Sequence, residues 1–157
     1  MNRDELPRMY AAGGLVLYTG EGGDHALVIR KHRLLDLPKG KLDYLDEPYE
    51  ECALREISEE TGLPPSSISI RSPLCKTDYI SYYRIGPVNK TVQWFLLDYD
   101  GDLSDPLQPD LTEGIDQVQW VAVGDLLERM RAARPYLRPV RQAIERELLA
   151  AVSSPLA

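Results

Sequence analysis

Glu56, Glu59 and Glu60 stand within five residues of one another on a stretch, PYEECALREISEET, that reads as a helix opened by Pro48. At helical periodicity the three carboxylates fall within an arc of roughly 100°. Ala53, Leu54 and Ile57 take the neighbouring arc and are expected to face the core. The acidic stripe therefore borders the buried one, the position of a cleft rim rather than of an open surface. Glu56 and Glu60 are like charges at i,i+4, a pairing that costs about 0.2–0.5 kcal/mol. Their crowding toward the C-terminal half of the helix also opposes the macrodipole. A divalent cation reverses the sign of both effects, and Mg²⁺ is commonly held by a few carboxylates together with waters and substrate phosphates. Three glutamates alone read more readily as a solvated acidic face, so the flanks must decide.

Those flanks are specific. Gly40, Glu47, Arg55-Glu56-Ile57, Glu59-Glu60, Gly62 and Leu63 resemble the Nudix box, a glycine followed by Glu and then R-E-U-x-E-E-x-G-U. From Glu47 to Leu63 every specified residue type and spacing matches. The interval from Gly40 to Glu47 is one residue longer than the family pattern, an insertion that a loop absorbs readily. Glu47, rather than Asp46, keeps the standard spacing to Arg55. The resemblance implies a pyrophosphohydrolase with a loop–helix–loop site. In it Glu56, Glu59 and Glu60 bind Mg²⁺, with Mn²⁺ as the alternative, and the backbone carbonyl of Lys39 or Gly40 adds a ligand. Glu56 is the first candidate for general base. Glu113, in the loop Leu111-Thr112-Glu113-Gly114, is the runner-up base or a further metal ligand, and its plain alternative is an exposed loop glutamate. Arg55 and Glu47 are implied to be structural partners that hold the loop.

Pro38-Lys39-Gly40-Lys41 sets two lysines at the mouth of this site, compact charges suited to phosphate. Arg30, Lys31, His32 and Arg33 precede them as the most basic stretch of the chain, and Arg30, Lys39 and Lys41 are the expected substrate-binding residues. Lys76, Arg84 and Lys90 are positioned to extend the patch. The LPKGK stretch resembles family branches acting on dinucleoside polyphosphates or diphosphoinositol polyphosphates. The broader expectation is cleavage of a diphosphate bond in a nucleoside diphosphate derivative. The alternatives are a nucleoside triphosphate or ADP-ribose pyrophosphatase and a non-catalytic Nudix-like binding module. Tyr79, Tyr82, Tyr83, Trp94 and Phe95 are candidates either for stacking on a base or for the core.

The remaining sequence must position these groups. A chain of 157 residues is expected to form a single domain over 1–157. Its net charge of −7 argues against a general nucleic-acid binder, leaving a small-molecule diphosphate or polyphosphate as the expected partner, with a homodimer open. Cys52 and Cys75 make neither a disulfide framework nor a zinc motif. No stretch approaches the ~18 apolar residues of a membrane span, so a cytoplasmic setting is the default. Strands are expected at 9–19 and 24–30, joined as a hairpin, with Gly13-Gly14 suiting a bulge or a close backbone approach. Residues 33–46 read as loop with a short strand. Further strands are expected at 68–72, 75–85 and 90–99, with a turn at 86–89, and at 116–123 after a polar loop. Asp125 is expected to cap a helix containing Leu126, Leu127 and Met130, and Val140, Ile144 and Leu148 mark a final helix. The expected fold is α/β: a Nudix-type α/β/α sandwich with a mixed central sheet.

Overall fold

A computed structural model describes residues 2–153, with side chains to residue 148. Along the chain lie β1 (Arg8–Tyr18), β2 (His25–Lys31), β3 (Leu34–Asp36), β4 (Lys39–Lys41), α1 (Tyr49–Thr61), β5 (Ile68–Tyr83), β6 (Gly86–Tyr99), β7 (Ile115–Ala122), α2 (Val123–Met130) and α3 (Arg138–Ser153). β1 is the organising strand. It pairs in parallel with β6 from Arg8↔Asn89 to Leu17↔Asp98, whereas its other edge is divided between two antiparallel partners. Ala11, Ala12 and Gly13 pair with Lys41, Gly40 and Lys39 of β4, and Leu17 and Tyr18 pair with Ala26 and His25 of β2. β2 thus parts from β1 along most of its length and pairs instead with β7 and β3, while β5 closes the opposite edge against β6. One parallel pair among antiparallel ones makes the sheet mixed, as expected.

Both faces of that sheet are covered, which is why β1 reads as an unbroken apolar run rather than an alternating one. On one face Cys52, Ala53 and Ile57 of α1 pack on Ala12, Val16, Leu27, Phe95 and Leu97. On the other, Leu126, Met130, Leu137, Val140 and Ile144 pack on Leu15, Val28, Val92, Trp94 and Leu96. The result is the α/β/α sandwich, with Ile57 fully buried.

Several expected boundaries shift. Segments 68–72 and 75–85 belong to one strand, because irregularities at Ile70/Ser72 and Pro73/Cys75 absorb its out-of-phase residues. The hairpin turn is Arg84-Ile85 rather than 86–89, since Tyr83 already pairs with Gly86. Residues 33–46 hold two short strands, and Asp125 lies inside the first turn of α2, whose N-cap is Ala122. Gly13 answers to a close approach: a Cβ there would collide with the Pro38 carbonyl and with Lys39 across the β1–β4 pair.

The loop from β4 to α1 is held by one side chain. Arg55 Nη2 lies 2.9 Å from Glu47 Oε1 and donates at 3.1 Å to the Lys41 carbonyl, while its Nε is 3.1 Å from Asp43. Glu47 Oε1 also accepts the Asp43 N–H at 2.8 Å, so the loop closes on itself around a buried carboxylate. The Arg55 bond holds the Glu47 carboxyl below the usual carboxylate range, against the opposing effect of burial. A carboxylate with a depressed folded-state pKa stabilises the fold fully above its unfolded pKa of ~4.3. That contribution is lost as pH falls through the lower folded value. Glu47→Gln is therefore expected to cost about 1.5–3 kcal/mol at neutral pH. Urea denaturation from pH 7 to pH 3 should show a smaller acid-induced loss in Glu47→Gln than in wild type. Parallel pH curves with equal midpoints would remove Glu47 from the clamp.

Candidate active site

α1 and β4 bring the acidic side together. Glu60 is only 4% exposed, and one oxygen accepts the Lys39 backbone N–H at 3.0 Å, tying the helix to the strand. Burial pushes its carboxyl up to about 7, with Lys39 acting in the opposite direction. Glu56 is likewise raised by burial, moderated by Arg55, whose Nη1 lies 2.6 Å from it. Gly40 is glycine for a local reason: a Cβ there would overlap the Glu56 carboxylate. The Gly40 carbonyl accepts the Cys52 thiol at 3.4 Å, and burial raises that thiol to about 12, so Cys52 is a neutral donor and not a nucleophile. A 3-10 turn over Leu111–Glu113, opened by the Asp110 carboxylate accepting the Thr112 N–H, carries Glu113 to the rim. Glu56, Glu60 and Glu113 line one cleft of about 390 Å³.

Lysines line the same cleft. Lys39 and Lys90 are buried, Lys31 is half-buried and Lys41 exposed, and Tyr83 stands among them. Among the described residues none of the four lies within ion-pair distance of a carboxylate. The Lys90 ammonium donates to the Tyr83 hydroxyl at 3.1 Å. Burial lowers Lys90 to about 7, and Lys39, Lys31 and Lys41 add to the effect.

Not every expected residue arrives. Arg30 points away from the cleft and pairs with Asp116 of β7 at 2.8 Å, so its expected phosphate contact is not supported. Glu59 is half-exposed, 3.8 Å from Arg55, and borders a shallow cavity with Ser58, Gly62 and residues 108–112 instead of the main cleft. Lys76 sits over the Tyr49 ring, and Arg84 occupies the hairpin turn. Trp94 and Phe95 are core, Tyr82 is exposed, and Tyr79 stacks on Tyr136 with ring centroids 4.3 Å apart. Sequence reasoning missed a buried Asp36 that accepts the Tyr136 hydroxyl and lies 3.3 Å from Arg134. A lone acid inside the apolar run LLDL was the available signal.

Among the described residues no three His, Cys, Asp or Glu side chains converge as a ready-made metal cage. The physical reason is Arg55: its guanidinium stands amid Asp43, Glu47, Glu56 and Glu59 at 2.6–3.8 Å. Four carboxylates around one cation, with Glu60 buried beside Glu56, leave an excess of negative charge. Oxygen donors of that kind suit a hard divalent cation. The donor set therefore fits a metal in chemistry, with Glu56, Glu60, Gly40 and Glu113 lining the cleft and Glu59 beyond it.

The NUDIX domain profile matches residues 7–148. A Mycobacterium tuberculosis protein bearing the mutator name MutT4 is 36% identical over 132 residues, 78% of this chain and 50% of that relative. The chain thus spans half the length of that relative. An Ap4A hydrolase from C. elegans superposes with a TM-score of 0.66 at 18% identity, over 90% of this chain and 98% of that one. The NUDIX domain of Shewanella oneidensis NrtR, complexed with ADP ribose, superposes with a TM-score of 0.64 at 20% identity, over 94% and 93%. These two likenesses establish the fold. The profile match over most of its length carries the assignment: the chain belongs to the NUDIX domain family.

Proposed function

We propose that the chain, working as one domain over residues 1–157, is a divalent-metal-dependent pyrophosphohydrolase that cuts a diphosphate bond in a nucleoside diphosphate derivative. The observation that carries this reading is a single cleft lined by a buried acid, Glu60, a half-buried one, Glu56, and lysines that, among the described residues, lie outside ion-pair distance of a carboxylate. A diphosphate needs both: cations to neutralise its oxygens, and a carboxylate to remove a proton from the attacking water. Mg²⁺ or Mn²⁺, held by Glu56, Glu60 and the Gly40 carbonyl with Glu59 and Glu113 in support, would supply charge neutralisation and polarisation of the phosphoryl group. Glu56, raised by burial and oriented by Arg55, is the favoured general base, and Glu113 across the cleft is the second candidate. Lys39 and Lys41 orient the phosphates. Lys39 is fixed against the helix through its backbone N–H, and the Lys41 ammonium rests over the Tyr83 ring at 4.7 Å.

The lysines favour a substrate with a long phosphate chain, such as a dinucleoside polyphosphate or a diphosphoinositol polyphosphate. The likeness to an ADP ribose-bound domain keeps an ADP-ribose or nucleoside triphosphate pyrophosphatase as the second reading. A panel of diphosphate compounds assayed with Mg²⁺ or Mn²⁺ tests the proposal directly. No turnover on any of them would leave a non-catalytic binding module.

Two mutational outcomes are expected. Glu60→Gln should lower turnover by about a hundredfold or more while raising the Tm of the metal-free protein, because a buried charge is removed. Glu59→Gln should also lower turnover at limiting metal. Wild-type rates in both would reduce the acidic stripe to a solvated face. Lys39→Ala and Lys41→Ala should raise KM more for a dinucleoside polyphosphate than for a nucleotide sugar, and the difference should shrink at high salt. Equal losses on both substrates at every ionic strength would assign the lysines to loop structure alone.

A further inference from the structure

The cleft does not end at the acids. A second compartment of about 300 Å³ adjoins it, and the two share Lys31, Lys39, Tyr83 and Lys90 as a common wall. The far side of this compartment is built from Tyr79, Tyr136, Asp36 and Arg134. Asp36 is already engaged by Tyr136 and Arg134. The shared lysines are engaged differently. Lys90 is 7% exposed and Lys39 6%, yet among the described residues neither has a carboxylate within ion-pair distance, and their direct contacts are the Tyr83 hydroxyl for Lys90 and the Tyr136 ring, at 5.4 Å, for Lys39. Burying a cation without a counter-charge is costly, and bringing several like charges together adds to the cost. The lowered proton affinity of Lys90 is the same conflict seen through its titration.

We propose that Lys31 and Lys90 form a phosphate subsite beyond the diphosphate that is cut, so that the substrate carries at least one phosphate group outside the scissile bond. The proposal rests on the reading of the main cleft as a diphosphate site. It adds the direction in which the substrate extends and the residues that select for it. An anion at the shared wall removes the electrostatic cost that the free protein bears, and the neutral tyrosine contacts supply no charge that competes with it. Two of the aromatic rings lining the compartment are largely closed to a nucleobase. Tyr79 and Tyr136 already stack on each other with an interplanar angle of 13°, and Lys39 takes the Tyr136 face, so these rings offer little open surface for stacking. The phosphate read here belongs either to a linear polyphosphate chain or to a phosphomonoester on a polyol.

Calorimetric titration in EDTA, where no anhydride is cleaved, separates this subsite from the chemistry. Inorganic tripolyphosphate stands for the chain, inositol hexakisphosphate for the phosphomonoester, and AMP for a base with a single phosphate. Wild type should bind at least one of the two polyanions at least tenfold tighter than AMP, and the tighter of them identifies the source. Lys31→Met and Lys90→Met should each weaken that polyanion by about tenfold or more, with little effect on AMP. The Tm of ligand-free Lys90→Met should rise, because an unpaired buried cation has gone. Unchanged polyanion affinity in folded Lys31→Met, or a fall in the Tm of Lys90→Met, would overturn the proposal. Polyanion binding that depends on both lysines, in a protein without turnover on any diphosphate, would sustain the subsite and sink the hydrolase reading instead.

Discussion

The geometry of this protein depends on the guanidinium of Arg55. It reaches the carboxylates of Asp43, Glu47, Glu56 and Glu59 and the backbone carbonyl of Lys41, joining a loop, a short strand and a helix through one planar group. An ammonium could not do this, because three donors on a flexible stem cannot serve acceptors fixed in several directions. The arginine stays charged, its proton held more tightly by Glu47 and Glu56. The extra residue between Gly40 and Glu47 is accommodated because Glu47 Oε1 accepts from both Arg55 and the Asp43 N–H. The loop bends to fit the clamp rather than the reverse.

Around that clamp the molecule separates two kinds of unfavourable charge. Glu56 and Glu60 line the cleft with their carboxyls raised by burial, and the lysines line the same cleft, with Lys90 lowered. Each group is destabilising alone, and among the described residues the lysines do not reach the acids closely enough to pair. Had they paired, the cleft would be self-neutralised and indifferent to a ligand. Held apart, both sets of charge remain open to a ligand that neutralises them. The cost is borne by the two apolar layers on either face of the sheet, where Ile57, Trp94 and Ile144 are completely buried. Stability spent on function in this way is common at binding sites.

How much of this could be read from the residues follows from what each feature depends on. α1 was legible because its period, its Pro48 start and its Gly62 end are all local, and the Glu47–Arg55 pairing followed from motif spacing. The two helical layers were legible from apolar spacing. The turn at His32-Arg33 was not, because both residues adopt positive φ, 48° and 71°, without glycine or asparagine to announce it. Arg30 and Lys31 show a subtler limit. Neighbours on a strand point to opposite faces, so only one could reach the cleft, and parity is invisible until the partner strands are known. The pairing of β2 with β7 sends Arg30 to Asp116 and leaves Lys31 on the cleft. Lys90 was underweighted for a related reason: a lysine on a strand is ordinarily an edge residue, but β6 lies between β1 and β5.

The cleft itself comes from the divided edge of β1. Were β2 to pair with β1 along its full length, the sheet would be continuous there and nothing would face α1 but side chains. Instead β4 takes positions 11–13 of β1, and its backbone at Lys39 and Gly40 comes within reach of Glu60 and Glu56. A three-residue strand has little pairing energy of its own. It is held from one side by Gly13, whose missing side chain lets Pro38 and Lys39 approach, and from the other by the Glu60 hydrogen bond to the Lys39 N–H. Glu60 therefore has a structural duty in addition to its proposed chemical one. One oxygen is committed to the strand, and only the other remains for the cleft. That division fixes where Lys39, next to Gly40, enters the site.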